Sequence, residues 1–187
     1  MRALAAGATS PAEVYPAIRF LLSRLGDHHS FLMLPAASRA FVGGGAANPQ
    51  PEVRVVEPGI GYVSIPAYLG IEPAAALDYA TKLQRALGAD VPQASCGWIV
   101  DLRGNGGGNM WPMLGGLRPF LGEGGLGSFV NATGSGPLWR ANTVDFKPTD
   151  ALAALDSATV AVLPGPRTAS SGDAVPLESE PLAGEAQ

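Results

Sequence analysis

Two short segments of the chain combine residue types that could support chemistry. Residues 101–109 read DLRGNGGGN, follow a short apolar stretch and precede a predicted helix, Met110–Leu121. A strand that turns through glycines into a helix leaves several N–H groups unpaired, and such donors suit a phosphate or a developing oxyanion. Residues 168–175, TASSGDAV, follow a second apolar strand and contain two serine hydroxyls. Both turns are therefore candidates for a binding or catalytic site.

A dinucleotide site is one interpretation of the glycine turn, and the sequence disfavours it. The run has Asn109 where a GxGxxG fingerprint needs its third glycine, and no GK[ST] of a phosphate-binding loop occurs. A predicted hairpin also precedes the strand that leads into this turn, where such a fingerprint has none. Oxyanion stabilisation is the better interpretation of this turn.

Nucleophilic catalysis is restricted by where the possible bases lie. The chain has two histidines, His28 and His29, and both lysines precede Ser170. The serine-then-histidine order of α/β-hydrolases is thus excluded, and so is a downstream lysine base. What remains is an N-terminal histidine base with Ser170 as nucleophile. From residue types alone, Ser170 suits a helix cap better, with Asp173 completing a capping-box-like pattern, and a single histidine is more often structural.

The elements that must position these residues alternate between strands and helices. Apolar periodicity and Gly/Pro signals predict, in order, a helix from Pro11 to Gly26, a hairpin of Val53–Val56 and Ile60–Ile65, a helix Pro73–Leu87, and strands Gly97–Val100 and Ala158–Leu163. Apolar strands joined by helical crossovers pair in parallel. The predicted fold class is α/β, with both turns beyond the carboxyl ends of buried strands, where open α/β sheets place ligands.

Composition limits the function classes. The 187 residues are 47% hydrophobic and 15% charged, as in a globular domain, and a net charge of −4 with no basic stripe argues against nucleic acid as a partner. No apolar stretch approaches the roughly 20 residues of a membrane helix, and residues 1–10 make a poor signal peptide. Cys96 is the single cysteine, so no internal disulfide forms. Localisation and oligomeric state are not readable from the sequence.

Three motifs occur in order along the chain: DHHS at 27–30, DLRGNGGG at 101–108 and TASSGD at 168–173. Together they resemble the C-terminal processing (tail-specific) serine proteases, and among these the tricorn-core type. The family motifs have the forms L-x-D-x-H-[ST], D-L-R-x-N-x-G-G and T-A-S-[SA]-[GA]-E. The resemblance extends from about Ser10 to Val175.

The resemblance implies an activity and a set of site residues. It implies Ser170 as nucleophile, His29 as general base, and an oxyanion hole made by the amides of Ser171 and a turn glycine, best Gly107. Asp27 is a possible support for the base, although a solvated turn aspartate explains it equally well. The implied activity is a serine-type peptidase acting on protein or peptide substrates, with no metal and no organic cofactor.

The resemblance also implies the fold and suggests an alternative. The implied fold is a crotonase-like β-β-α superhelix, here incomplete at its C-terminal end, because Pro176 interrupts the last helix. Asp173, which stands where the family has Glu, is a second possible supporting residue. The alternative function is a catalytically inactive member, like the interphotoreceptor retinoid-binding modules, that binds a peptide or apolar ligand in the same cleft.

The predicted organisation has four parts. Residues 1–35 form an N-terminal helical segment that carries the histidine motif, and residues 36–52 form a connector. Residues 53–175 form the catalytic α/β core, and residues 176–187 form a disordered tail. Asp101 and Arg103, at the end of a core strand, are expected to brace the glycine turn through an ion pair.

Overall fold

The computed structural model describes residues 2–26, 30–42, 48–122, 124–140 and 150–172. The chain divides into two compact units, the first ending at Phe41 and the second beginning at Val42. None of the described helices is long and apolar enough to cross a membrane.

The first unit is helical. Its elements are α1 (Arg2–Ala5), α2 (Pro11–Leu22) and most of α3 (Pro35–Val42). Helix α2 begins where the sequence predicts, with proline at its first position and the Glu13 carboxylate accepting from Thr9 N and Ser10 Oγ, both at 2.9 Å. Helix α3 lies in the region predicted as a connector. Its alanines favour a helix, whereas the glycines and prolines farther along dominated the prediction.

The second unit holds the sheet. Its strands are β1 (Glu52–Glu57), β2 (Ile60–Ser64), β3 (Gly97–Asp101), β4 (Val130–Asn131), β5 (Gly134–Ser135) and β6 (Val160–Leu163). Its helices are α4 (Pro73–Asp90), α5 (Met110–Leu121) and α6 (Asp150–Ala153), with short 3₁₀ turns at Val91–Gln93 and Ala154–Ser157.

The main sheet is mixed, with strand order β1-β2-β3-β6. Strands β1 and β2 form the predicted antiparallel hairpin, and β2, β3 and β6 run parallel, as the predicted crossovers require. Asp101 pairs with Ser64 on one side and with Leu163 on the other. The carboxyl ends of the three parallel strands therefore meet at one edge, where the glycine turn and the serine turn both begin.

One face of this sheet and the helices α4 and α5 enclose the core. Trp98, Val100 and Leu102 are buried from the strand side, together with Leu83 of α4 and Leu114 of α5. The helices approach closely at Gly116, where a β-carbon would overlap the Leu83 side chain. This packing fixes the end of β3, and thus the start of the glycine turn.

Candidate functional site

The serine turn has an unusual backbone. Ser170 has φ 57°, and it is the only non-glycine residue with positive φ in the described part of the chain. A left-handed conformation costs an L-residue with a side chain roughly 1–2 kcal/mol, so it persists only where surrounding contacts hold it. Ser170 is exposed, and a helical turn starts at Ser171. A strained strand-to-helix turn with an exposed serine is the geometry of a nucleophile elbow.

Thr168 anchors this turn to the end of β3. Its Oγ1 donates to the Leu102 carbonyl at 2.7 Å and accepts from the Gly165 amide at 2.8 Å. The next amide, Ala169 N, donates to the main-chain oxygen of Asn105 at 3.1 Å. The serine turn is therefore joined to the glycine turn by hydrogen bonds on the N-terminal side of Ser170.

The glycine turn needs glycine at two positions. Gly107 has φ 93° and Gly108 has φ 107°, conformations that side chains disfavour. A β-carbon on Gly107 would lie 2.7 Å from the Ala169 oxygen and 2.8 Å from the Ser170 β-carbon, and one on Gly108 would overlap the Tyr68 oxygen. The absence of side chains is what lets this turn lie directly against the serine turn.

Ser171 closes the contact between the turns. Its Oγ donates to the Gly108 oxygen at 2.7 Å. Within the described part of the chain the Ser171 N–H makes no hydrogen bond, and neither does the Ser170 hydroxyl. The Gly107 N–H donates to Asn105 Oδ1 at 2.9 Å. The structure thus brings Ser170, Ser171 and Gly107 together, across more than 60 residues of chain.

The other predicted site residues lie outside the described residues. His29 and Asp27 belong to the segment 27–29, and Asp173 to the segment 173–187. The general base and the two possible supporting carboxylates stay predictions, as does the role of Gly107 in an oxyanion hole.

The ion pair expected at the end of β3 is confirmed. Arg103 Nη2 and Asp101 Oδ2 lie 2.6 Å apart, and Asp101 also accepts from the Tyr62 hydroxyl at 2.7 Å. Hydrogen bonds from Arg103, and then that from Tyr62, hold the pKa of the Asp101 carboxyl far below its usual value. This pair was predicted from the sequence, whereas its tyrosine partner, which comes from the neighbouring strand, was not.

Two polar residues that shape the site were not singled out from the sequence, Asn105 and Thr168. An asparagine two residues before a glycine is the signature of an Asx turn, so this signal was available. The role of Thr168 is a tertiary contact and has no such local signature. No cluster of three or more metal-ligating side chains occurs within the described ranges.

Trp111 lies in the first turn of α5, directly after the glycines, and its amide donates to Asn109 Oδ1 at 3.2 Å. It is half-buried, and its ring packs edge-on against Trp139 with centroids 5.9 Å apart. Phe129 in turn stacks on the Trp139 ring and is 65% exposed. An aromatic wall therefore begins three residues from Gly108.

Solved structures resemble this chain at low sequence identity. A lipoprotein from Streptococcus agalactiae matches over 95% of the chain, with TM-score 0.75 and 23% identity. A candidate peptidase from Parabacteroides merdae matches over 90%, with TM-score 0.54 and 17% identity. The photosystem II D1 C-terminal processing protease matches over 68%, with TM-score 0.49 and 22% identity.

The chain spans 61%, 58% and 33% of the lengths of these three proteins, in the same order. The first two likenesses show the mixed α/β fold. No curated protein matches the sequence.

A family model described as peptidase family S41 matches residues 59–179, more than half of the chain. The match contains all three parallel strands, the glycine turn and the serine turn. It confirms the relationship to the C-terminal processing proteases that the motifs indicated, and the chain belongs to peptidase family S41.

Proposed function

We propose that this chain is a serine-type peptidase that hydrolyses peptide bonds in protein or peptide substrates. Ser170 is the nucleophile and His29 the general base. The Ser171 amide and a main-chain amide of the glycine turn form the oxyanion hole; Gly107 is the sequence's candidate for this second donor, and in this structure its N–H is directed to Asn105 Oδ1. Asp27 and Asp173 are the candidates for a carboxylate that supports the base.

The observation that carries this proposal is the left-handed Ser170 backbone against a side-chain-free Gly107. Family membership supports a peptidase, and a strained, exposed serine beside main-chain donors is what an acyl-transfer mechanism needs. A helix cap needs neither the positive φ nor the close approach of Gly107. The geometry therefore favours the nucleophile over the cap that residue types alone suggested.

The reaction follows from these positions. His29 takes the Ser170 proton while the hydroxyl oxygen attacks the peptide carbonyl carbon, and the carbonyl electrons move to its oxygen. The Ser171 amide and the second amide, from the glycine turn, stabilise that oxyanion, and each such donor is typically worth about 2.7–4 kcal/mol of barrier. The tetrahedral intermediate then expels the amine, which takes the proton from His29. Water, activated by the same histidine, hydrolyses the acyl-enzyme and restores Ser170.

The finer assignments belong to the same proposal. We place the chain in the tricorn-like, tail-specific branch of the family, with the sheet and helices as part of a crotonase-like superhelix. Residues 53–175 are its catalytic core, and residues 1–35 supply the base.

The test is labelling of the purified chain with a fluorophosphonate probe, with the adduct located by mass spectrometry. We expect labelling at Ser170 that is lost in His29→Ala and kept in His28→Ala, a matched control that removes the neighbouring imidazole. Thermal unfolding of each variant establishes that the labelled and unlabelled proteins are folded.

Two results would contradict the proposal. Labelling that survives His29→Ala would remove the histidine from the mechanism. A folded chain that is never labelled at Ser170 would favour the inactive member that binds a peptide or apolar ligand in this cleft.

A further inference from the structure

We infer that Asn105 is a positioning residue that holds the nucleophile turn and the glycine turn at their working separation. The inference rests on the proposed function, because it assigns a role toward Ser170 and the oxyanion donors. Asn105 belongs to the glycine turn, but it is fully buried and so does not reach substrate.

The first observation is burial with one partner for each polar atom of the side chain. Asn105 is 0% exposed, although it stands in a glycine-rich turn. Its Oδ1 accepts from the Gly107 amide at 2.9 Å, and its Nδ2 lies 3.1 Å from the Met113 sulfur. A buried amide left without partners would cost about 1–3 kcal/mol, so these contacts are needed for asparagine to occupy the site. They lock the amide plane and, through it, the direction of the Gly107 peptide.

The second observation is that Asn105 contacts the serine turn on both sides of the nucleophile. Its main-chain oxygen accepts from Ala169 N at 3.1 Å, one residue before Ser170. A β-carbon on Gly172 would lie 2.5 Å from that oxygen and 2.9 Å from Oδ1, two residues after Ser170. The Asn105 main chain therefore lies against the serine turn on both sides of Ser170, so a displacement of Asn105 would displace this turn as well.

Asparagine suits this role because one side chain must accept from one partner and donate to another. Alanine supplies neither group. An ionised aspartate keeps the acceptor for Gly107, loses the donor toward Met113 and adds a negative charge beside the developing oxyanion. A protonated aspartic acid has an acceptor and an O–H donor in nearly the same places. Asn105→Asp should therefore resemble the parent at low pH, where the carboxyl group is neutral, and differ from it at high pH, where the group is ionised.

The experiment compares the parent with Asn105→Ala, Asn105→Asp and Gln84→Ala. Gln84 is the matched control: it is also 0% exposed and bonds the Gly115 oxygen through Nε2, but it lies between α4 and α5. For each protein, three quantities are measured: the second-order rate constant for fluorophosphonate labelling of Ser170, the unfolding midpoint, and amide hydrogen exchange of Gly107 and Ala169 by NMR.

We expect Asn105→Ala to label about 10²-fold more slowly, because misplacement of reacting groups by about 1 Å has an effect of that size. Its Gly107 and Ala169 amides should exchange at least about tenfold faster. Gln84→Ala should unfold at a lower temperature and label at the parental rate. The ratio of the Asn105→Asp rate to the parental rate should rise as pH falls from about 8 to about 5, because burial favours the neutral acid.

The inference is overturned if folded Asn105→Ala labels at the parental rate, if the Asn105→Asp ratio does not change with pH, or if Gln84→Ala slows labelling as much. If instead the proposed function is wrong, the parent protein itself is not labelled. In that case hydrogen exchange still tests the positioning role of Asn105. Unchanged amide exchange in Asn105→Ala refutes this role, and faster exchange confined to the two turns supports it.

Discussion

Gly107→Ala tests whether the contact between the two turns is required for catalysis. The added β-carbon would lie 2.7 Å from the Ala169 oxygen, and ordinary contacts begin at 3.4 Å. Relief therefore needs a displacement of about 0.7 Å. The displacement falls on the backbone that carries Ser170, because the Ser170 β-carbon lies only 2.8 Å from the same point.

Two costs follow from this geometry. Alanine at φ 93° is strained by about 1–2 kcal/mol, which lowers the unfolding midpoint by about 2–4 °C per kcal/mol in a chain of this size. A shift of the reacting groups by most of an ångström reduces the rate by about 10- to 100-fold. We expect a folded protein that labels at Ser170 that much more slowly.

Gly104→Ala is the matched control. Gly104 belongs to the same turn, its φ is not positive, and a β-carbon there meets nothing within 4 Å. We expect parental labelling and a stability change below about 0.5 kcal/mol. The measurements are the rate of fluorophosphonate labelling and the thermal unfolding midpoint of the parent, Gly107→Ala and Gly104→Ala. Parental labelling by Gly107→Ala, or equal slowing by Gly104→Ala, would refute the reasoning.

Two further predictions concern the brace and the aromatic wall. Because the pKa of Asp101 is held below its usual value, the carboxylate stabilises the fold at neutral pH, and this stabilisation is lost as pH falls below about 4. Asp101→Asn should therefore lower the free energy of unfolding in urea by about 1 kcal/mol at pH 7, and by progressively less in acid. The control Glu52→Gln, at an exposed ion pair, should change the free energy of unfolding little. A difference between Asp101→Asn and the parent that does not depend on pH would contradict this. Trp111→Ala should raise KM for a peptide several-fold while fluorophosphonate labelling stays within about twofold, because the ring borders the turn without bonding to it; an unchanged KM would remove Trp111 as a substrate contact.

The sheet was predictable because its signals are local. The apolar runs of β3 and β6 are each followed by a turn rich in Gly or Pro, and helical crossovers favour parallel pairing, so the two turns could be predicted to share one edge of the sheet. Ser170 and the glycine turn were found for the same reason. Their sequences are distinctive, and each follows an apolar strand; the strand before the glycine turn is buried, as predicted, whereas β6 is only partly buried.

The contacts that join the turns were not predictable from the sequence. The Thr168 hydroxyl bonds Leu102 across 66 residues, and nothing local in either sequence indicates the partner. The left-handed conformation of Ser170 is likewise imposed by tertiary contacts, since serine has no intrinsic preference for it. The helix α3 was missed because the helix propensity of its alanines is a weaker signal than the nearby Gly and Pro turn signals.

Gly108 and Ser171 are joined by a hydrogen bond although they lie 63 residues apart in the chain. This separation affects the order in which the two turns form during synthesis at the ribosome. A nascent chain that has released only β1, β2, β3 and the glycine turn still lacks the serine turn. The Ser171 contact forms only after β6 has emerged and paired with β3, a non-local closure that comes late in folding. On the proposed function, the complete site is therefore assembled only when the sheet is.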